Sequence, residues 1–415
     1  MATPPDRPLN IAFSFPRGRG HLAPLLPIAR HAEAVGHHTA LIGAREPVLE
    51  QSGFTRLCPR DITLPSSTVG TGSMRPFDSK RVLQKVEEVF LGTAAYGALI
   101  DVHQLLTEWP SDILVCSEFD FGAMTAAEEA GLPCVVVTAF ATASNSWKDS
   151  IRVPIQQLRF AAGLAPDPHL TMLDGALTVV PATASMRPDS DFGGSVMRLR
   201  PTPVEIAAPH PAAEWFRAGD EAIRIYVTLG TEFNTSSGGL FGRLLEAVAE
   251  LPARILVTTG PWVDPRTFEP GERHGPSSIR VEQYVPQAEL MQHADLVVNH
   301  GGSSSVVGAL DSGVPMIVLP LGADQVPNGN YVEAAGAGAM PNAESATSAE
   351  IRAVAEHILS TATYRSAARA IGAQLRSLPT VGEVMTAIEG LAASARPAEA
   401  APPTDLNSME PNTRA

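Results

Sequence analysis

The chain has 415 residues, 44% of them hydrophobic, more than one core usually holds, which points to two sizeable domains. Its 30 Lys and Arg stand against 44 Asp and Glu, and the formal charge of -14 argues against a nucleic-acid partner. The N-terminus lacks the apolar stretch of a secretory signal and no segment approaches membrane-spanning length, so a cytoplasmic protein is expected, with Cys58, Cys116 and Cys134 as reduced thiols.

A first strand is predicted over 9–15. The loop Pro16-Arg17-Gly18-Arg19-Gly20-His21 leads from it into a helix over 22–34, where Leu22, Leu25, Leu26, Ala29 and Ala32 recur at helical spacing before Gly36. Pro24 and Pro27 make its early turns irregular, because neither donates a backbone hydrogen bond. Strands over 39–42, 113–115 and 134–137, with a helix over 121–130, continue a parallel α/β alternation whose functional loops gather at the carboxyl ends of strands. The segments 66–76 and 139–152, the second with Trp147 embedded, read as loops on the ligand side. After a strand over 176–180, the four prolines Pro201, Pro203, Pro209 and Pro211 read as an extended linker.

The alternation restarts at 224–231, which ends in Gly230-Thr231, and continues with a helix over 239–249 and strands over 254–258, 278–281, 296–299 and 316–319. Domains are therefore expected over 1–208 and 209–391, with helices over 348–391 and a disordered tail over 392–415. The most specific stretch is His300-Gly301-Gly302-Ser303-Ser304-Ser305 between two apolar strands. Backbone amides at a helix start concentrate positive potential, glycines allow close approach, and hydroxyls add donors, so the turn suits a phosphate group.

Gly20-His21, Gly230-Thr231, Val285-Pro286-Gln287, His300-Gly301-Gly302 and Asp324-Gln325, in that order, resemble the family-one nucleotide-sugar-dependent glycosyltransferases, and more closely their bacterial natural-product branch. The resemblance covers nearly the whole chain and is most specific over 285–325. It implies the GT-B fold: two facing Rossmann-like α/β domains about a deep cleft, with a terminal helix that returns to the first domain. It also implies transfer of a sugar, with inversion, from a TDP- or UDP-sugar to a hydroxyl of a small hydrophobic aglycone. No tightly bound cofactor and no metal are implied; a homodimer is compatible.

By the same resemblance His21 is the general base, a role suited to an imidazole whose ordinary pKa is ~6.5. The family's orienting acid falls within Cys116-Ser117-Glu118-Phe119-Asp120; Ser117 stands at the usual acid position, and Glu118 or Asp120 is left to serve. His300, Ser303, Ser304 and Ser305 are expected on the diphosphate, with Gly301 and Gly302 shaping the turn and Thr231 near the phosphates from across the cleft. Val285 and Gln287 are expected to frame the base, with Tyr284 where the plant branch has tryptophan, and Asp324 and Gln325 to meet donor-sugar hydroxyls. A nucleotide-sugar epimerase is the alternative enzyme, and a non-catalytic nucleotide-sugar-binding protein the alternative of another class.

Overall fold

In the computed structural model, which describes residues 7–44, 54, 56–60, 84, 86–142, 148–202, 210–218, 223–230, 237–261, 263–268 and 277–395, two sheets form. Every strand pairing in them is parallel. The first sheet comprises β1 (Asn10–Ser14), β2 (His38–Ala44), β3 (Arg56–Arg60), β4 (Ile113–Ser117), β5 (Cys134–Val137), β6 (Leu177–Val180) and β7 (Val196–Arg198). Its spatial order is β3-β2-β1-β4-β5-β6-β7. The second comprises β8 (Arg224–Thr228), β9 (Arg254–Thr258), β10 (Ser278–Glu282), β11 (Leu296–Asn299), β12 (Met316–Val318) and β13 (Gly338–Ala339), ordered β10-β9-β8-β11-β12-β13. Continuous apolar strands such as Cys134–Val137 and Met316–Val318 suit parallel sheets, because helices cover both of their faces.

Helices α1 (Arg19–Leu22) and α2 (Leu26–Ala34) replace the single helix expected over 22–34. The break falls at Ala23 to Leu25, because Pro24 has no amide to continue the ladder, whereas Pro27 is tolerated in the first turn of α2. Helix α3 (Thr93–Glu108) follows a wider turn over Val86–Leu91, and α4 (Phe121–Glu129) packs across it. The combined run Val86–Glu108 is long and apolar enough by length and composition to cross a membrane, which corrects the expectation that no segment approaches that length. One face of α3, with Ala95, Ala98, Leu99, Val102 and Leu105, is buried in the first domain's core. A Cβ on Gly122 of α4 would lie 2.1 Å from Ala95 O, so the two helices pack as closely as core helices do.

Helix α5 (Lys148–Ala161) takes up the end of the segment expected as a loop over 139–152, and α6 (Pro211–Arg217) begins on the last proline of the expected linker. Pro211 starts rather than stops a chain element because its fixed φ fits a first helical turn. The second domain carries α7 (Leu240–Ala249), α8 (Gln287–Met291), α9 (Ser303–Asp311), α10 (Gln325–Ala334), α11 (Ser348–Ser360) and α12 (Ala362–Arg376). The expected loop over 66–76, Trp147, residues 203–209, Thr231 and residues 396–415 lie outside the described residues.

Helix α13 (Val381–Ala395) leaves the second domain and inserts Val384, Met385, Ile388 and Ala392 among the buried residues of the first, alongside Leu25, Ile28 and Ala32. His37 Nε2 lies 2.9 Å from Glu389 Oε1 at the edge of this contact. Thr380, with Glu383 accepting from both its amide and its hydroxyl at 2.7 and 2.8 Å, fixes where the helix starts. Ile388 is fully buried, so Ile388→Ala is expected to cost about 2–5 kcal/mol. Denaturant unfolding, compared with an exposed-face control such as Ala393→Ser, measures the loss.

Candidate active site in the interdomain cleft

In the first sheet the strand order reverses between β1 and β4, and a crevice opens beyond their carboxyl ends. The chain leaving β1 turns through Gly18 into α1, which carries His21, and the last residue of β4 is Ser117. His21 Nδ1 and Ser117 Oγ are 3.0 Å apart. The imidazole is ringed by aromatic groups, its centroid 5.3 Å from Phe90, 5.5 Å from Phe119 and 6.0 Å from Phe140. Part of its surface still meets the cleft, but enclosure by protein pushes its pKa down to about 4. The charges of Glu118 and Asp120 act against that shift and Arg17 adds to it.

Neither expected acid holds the His21 ring; this corrects that assignment. Glu118 Oε1 accepts from the amides of Ala139 at 2.7 Å and Phe140 at 2.8 Å, and its Oε2 accepts from Arg187 at 2.8 Å. Asp120 Oδ2 accepts from Ser14 Oγ at 2.6 Å, and its Oδ1 caps α4 through the Ala123 amide at 3.4 Å. Successive residues leaving a strand point in different directions, and the start of α4 needs an acceptor, so the neighbouring acids are drawn to separate duties. Ser117 therefore holds the ring.

The second sheet reverses between β8 and β11, where the other expected residues gather. His300 follows β11, and its ring packs so tightly that a Cβ on Gly230 would lie 2.5 Å from its Nε2. Gly230 and Gly301 also have φ of +75° and +89°, the left-handed region that side chains disfavour. Burial lowers the His300 pKa to about 4, and its Nδ1 is buried without a hydrogen-bond partner. Helix α9 starts with no side-chain cap, and its first turn bonds run from the amides of Ser305 and Val306 to Gly302 O. Among the described residues, the amides of Ser303 and Ser304 have no partner and face out of the helix start.

The side chains around this turn are committed differently. Ser304 is exposed, whereas Ser305 is buried and donates to Gln287 Oε1 at 3.2 Å, so its hydroxyl positions the Gln287 amide. Val285 is buried in the second domain's core, which leaves its backbone to frame the neighbouring surface. Ser303 Oγ donates to Asp324 Oδ2 at 2.6 Å, and Asn328 donates to the same oxygen at 2.8 Å and to Gly301 O at 2.8 Å. Burial raises the Asp324 pKa against the opposing effect of these hydrogen bonds. Gln325 Oε1 accepts from the amides of Leu321 and Gly322 at 2.6 and 2.9 Å. Asp324 and Gln325, expected toward a ligand, thus brace the turn and the loop before α10. Asn328 escaped the sequence reading, although its place one helical turn beyond Asp324 was a usable signal.

The two crevices face one cleft. Phe140, beside His21, is followed by Ala141, whose amide donates to Ser303 Oγ at 2.8 Å, and by Thr142, whose hydroxyl meets Asn328. Arg19 lies over the Tyr284 ring at 5.0 Å and reaches its hydroxyl at 3.2 Å, a second link across the opening. Among the described residues, no group of three or more His, Cys, Asp and Glu is arranged to hold a metal ion.

Residues 242–391 match the family model described as the C-terminal domain of erythromycin biosynthesis protein CIII-like proteins. Over 391 residues the chain is 27% identical to the L-demethylnoviosyl transferase of Streptomyces niveus, covering 91% of this chain and 96% of the relative. It is 28% identical over 296 residues to the elloramycin glycosyltransferase of Streptomyces olivaceus, covering 69% and 71% of the two chains. The crystal structure of SnogD from Streptomyces nogalater superposes with a TM-score of 0.73 at 21% identity, covering 93% of this chain and 100% of that one. VinC, solved in complex with dTDP, gives 0.73 at 18% identity, with the same two coverages.

Two outcomes test this geometry. The His21 ring is expected to stay neutral down to about pH 5 and to titrate near 4, read by NMR of its ring protons. Because that value lies below the ordinary ~6.5, His21 contributes to stability fully above that range, and the contribution falls as pH drops through the window between them. Glu118 and Arg187 are both buried, so Glu118→Ala is expected to cost about 3–5 kcal/mol by removing the carboxylate that faces the buried guanidinium, measured by denaturant unfolding.

Proposed function

Taking as premise that the chain has the GT-B fold and is related to the sugar transferases of antibiotic biosynthesis, we propose that it is an inverting glycosyltransferase. Its donor is a nucleoside diphosphate sugar, of the TDP or UDP type, and its acceptor a hydroxyl of a small hydrophobic natural product. The observation that carries this reading is the convergence of two complementary sites on one cleft. A neutral imidazole stands on the first domain, an uncapped helix start with open amides stands on the second, and the 139–142 loop touches both. The complex of VinC with dTDP supports the choice of a thymidine-type donor.

In this mechanism His21 takes the acceptor proton on Nε2 as the acceptor oxygen attacks the anomeric carbon. With Nδ1–H donated to Ser117 Oγ, the lone pair is left on Nε2, the nitrogen without a partner among the described residues. The bond from the anomeric carbon to the diphosphate breaks with its electron pair. The Ser303 and Ser304 amides, at the positive end of α9, stabilise the charge that collects on the leaving group. His300, Gly301 and Gly302 shape that turn, and Gln287 meets the nucleoside.

His21→Ala is expected to lower kcat for transfer by roughly 10²- to 10⁴-fold while nucleoside diphosphate affinity stays within about twofold. Product formation by liquid chromatography and affinity by calorimetric titration, both with a chelator present, provide the readouts. Near-wild-type transfer to a nonionised alcohol by the variant would exclude His21 as the base, and retention of anomeric configuration would exclude a single displacement.

A further inference from the structure

The groups around His21 restrict the kind of hydroxyl it can deprotonate. Its ring contact is Ser117 Oγ, a neutral group that fixes the ring without offsetting positive charge on it. The two carboxylates on the same loop spend their hydrogen bonds elsewhere, Glu118 on Arg187 and the 139–140 amides, Asp120 on Ser14 and the start of α4, and their charges offset only part of the ring's desolvation. Three phenylalanine rings pack around the imidazole, so the imidazolium formed on proton transfer arises in apolar surroundings. Phe90 and Phe140 are half-buried and stand beside the imidazole, where an acceptor must lie to reach Nε2.

Resting on the glycosyl-transfer reading, we propose that the acceptor is an aromatic or enolic hydroxyl, a phenol-type group whose ring packs against Phe90 and Phe140, rather than a saturated alcohol. The argument is one of matched acidity. A phenol ionises near ~10, whereas a saturated alcohol is closer to water at ~15.7, so a ring partnered by a hydroxyl rather than by a carboxylate, and ringed by phenylalanines, has less proton-transfer burden to carry with the first. The phenolic O–H passes its proton to His21 Nε2, the oxygen bonds to the anomeric carbon, and the diphosphate leaves with the electron pair of the broken bond. Negative charge that builds on a phenolic oxygen spreads into its ring, so less of the burden falls on the imidazole. Flat aromatic rings also fit the tilted arrangement of Phe90, Phe119 and Phe140, whose centroids lie 4.9 to 5.3 Å apart where they touch.

The test uses the full chain, a set of TDP- and UDP-hexoses, and two acceptors of one skeleton, 2-naphthol and 1,2,3,4-tetrahydro-2-naphthol. The wild type is expected to favour 2-naphthol in kcat/KM by a factor on the order of 10² or more, the scale of a general-base contribution. Ser117→Asp is expected to raise transfer to the saturated alcohol selectively and to move the acid limb of its pH profile upward, because a carboxylate stabilises the imidazolium. If that variant fails to fold, the wild-type pair decides. Equal or faster transfer to the saturated alcohol, or a Ser117→Asp gain equal for both acceptors, would overturn the inference and leave glycosyl transfer standing. Transfer to neither acceptor, with nucleoside diphosphate bound in calorimetry, would overturn the glycosyl-transfer reading and the inference with it.

Discussion

Parallel pairing is the constraint from which the site follows. A parallel sheet directs every strand's carboxyl end to the same edge, and the chain must leave that edge in opposite directions where the strand order reverses. This chain does so twice, between β1 and β4 and between β8 and β11, so each domain has one crevice in its loop edge. His21 and Ser117 stand at the first, and Gly230 and His300 at the second. When the domains face each other the crevices become one cleft, and α13 keeps them together by burying its apolar face in the first domain.

Within that frame one buried carboxylate organises the junction. Glu118 binds two successive amides of the 139–142 loop and the Arg187 guanidinium, which itself donates to Phe140 O at 2.9 Å. That loop then presents Phe140 to His21, Ala141 to Ser303 and Thr142 to Asn328. A change at Glu118 therefore reaches the His21 ring and the helix start together, although the residue hydrogen-bonds to neither. Burying a charge pair brings little net stability by itself, but breaking one is costly, so the pair holds the loop to one arrangement.

The two histidines share a chemical condition reached by different surroundings. Aromatic rings close around His21, glycine backbone around His300, and both imidazoles are kept uncharged at neutral pH by desolvation. On the proposed reading, an anion in the cleft would meet the oriented backbone dipoles at the start of α9. That arrangement is consistent with a chain whose formal charge is -14.

Hydrophobic runs, glycines and prolines are local signals, and they sufficed for the two alternations of strand and helix and for the turn after His300. Pro24 also marked where α2 could not simply continue α1, since a missing amide acts at its own position. The short edge strands β3, β7 and β13 and the long helix α3 were not legible to the same degree, because packing on distant neighbours decides them. The partner of His21 was harder still: Ser117, Glu118 and Asp120 lie within four residues, and nothing in their order says which one turns toward a ring on another loop. Their directions depend on Arg187, Ser14 and the amides of Ala139 and Phe140, groups that only folding brings near. Residue order specifies which side-chain types can reach the cleft. Tertiary structure decided which hydrogen bonds they make, because each acid takes the donor nearest to it in space, and that distance is not written in the spacing along the chain.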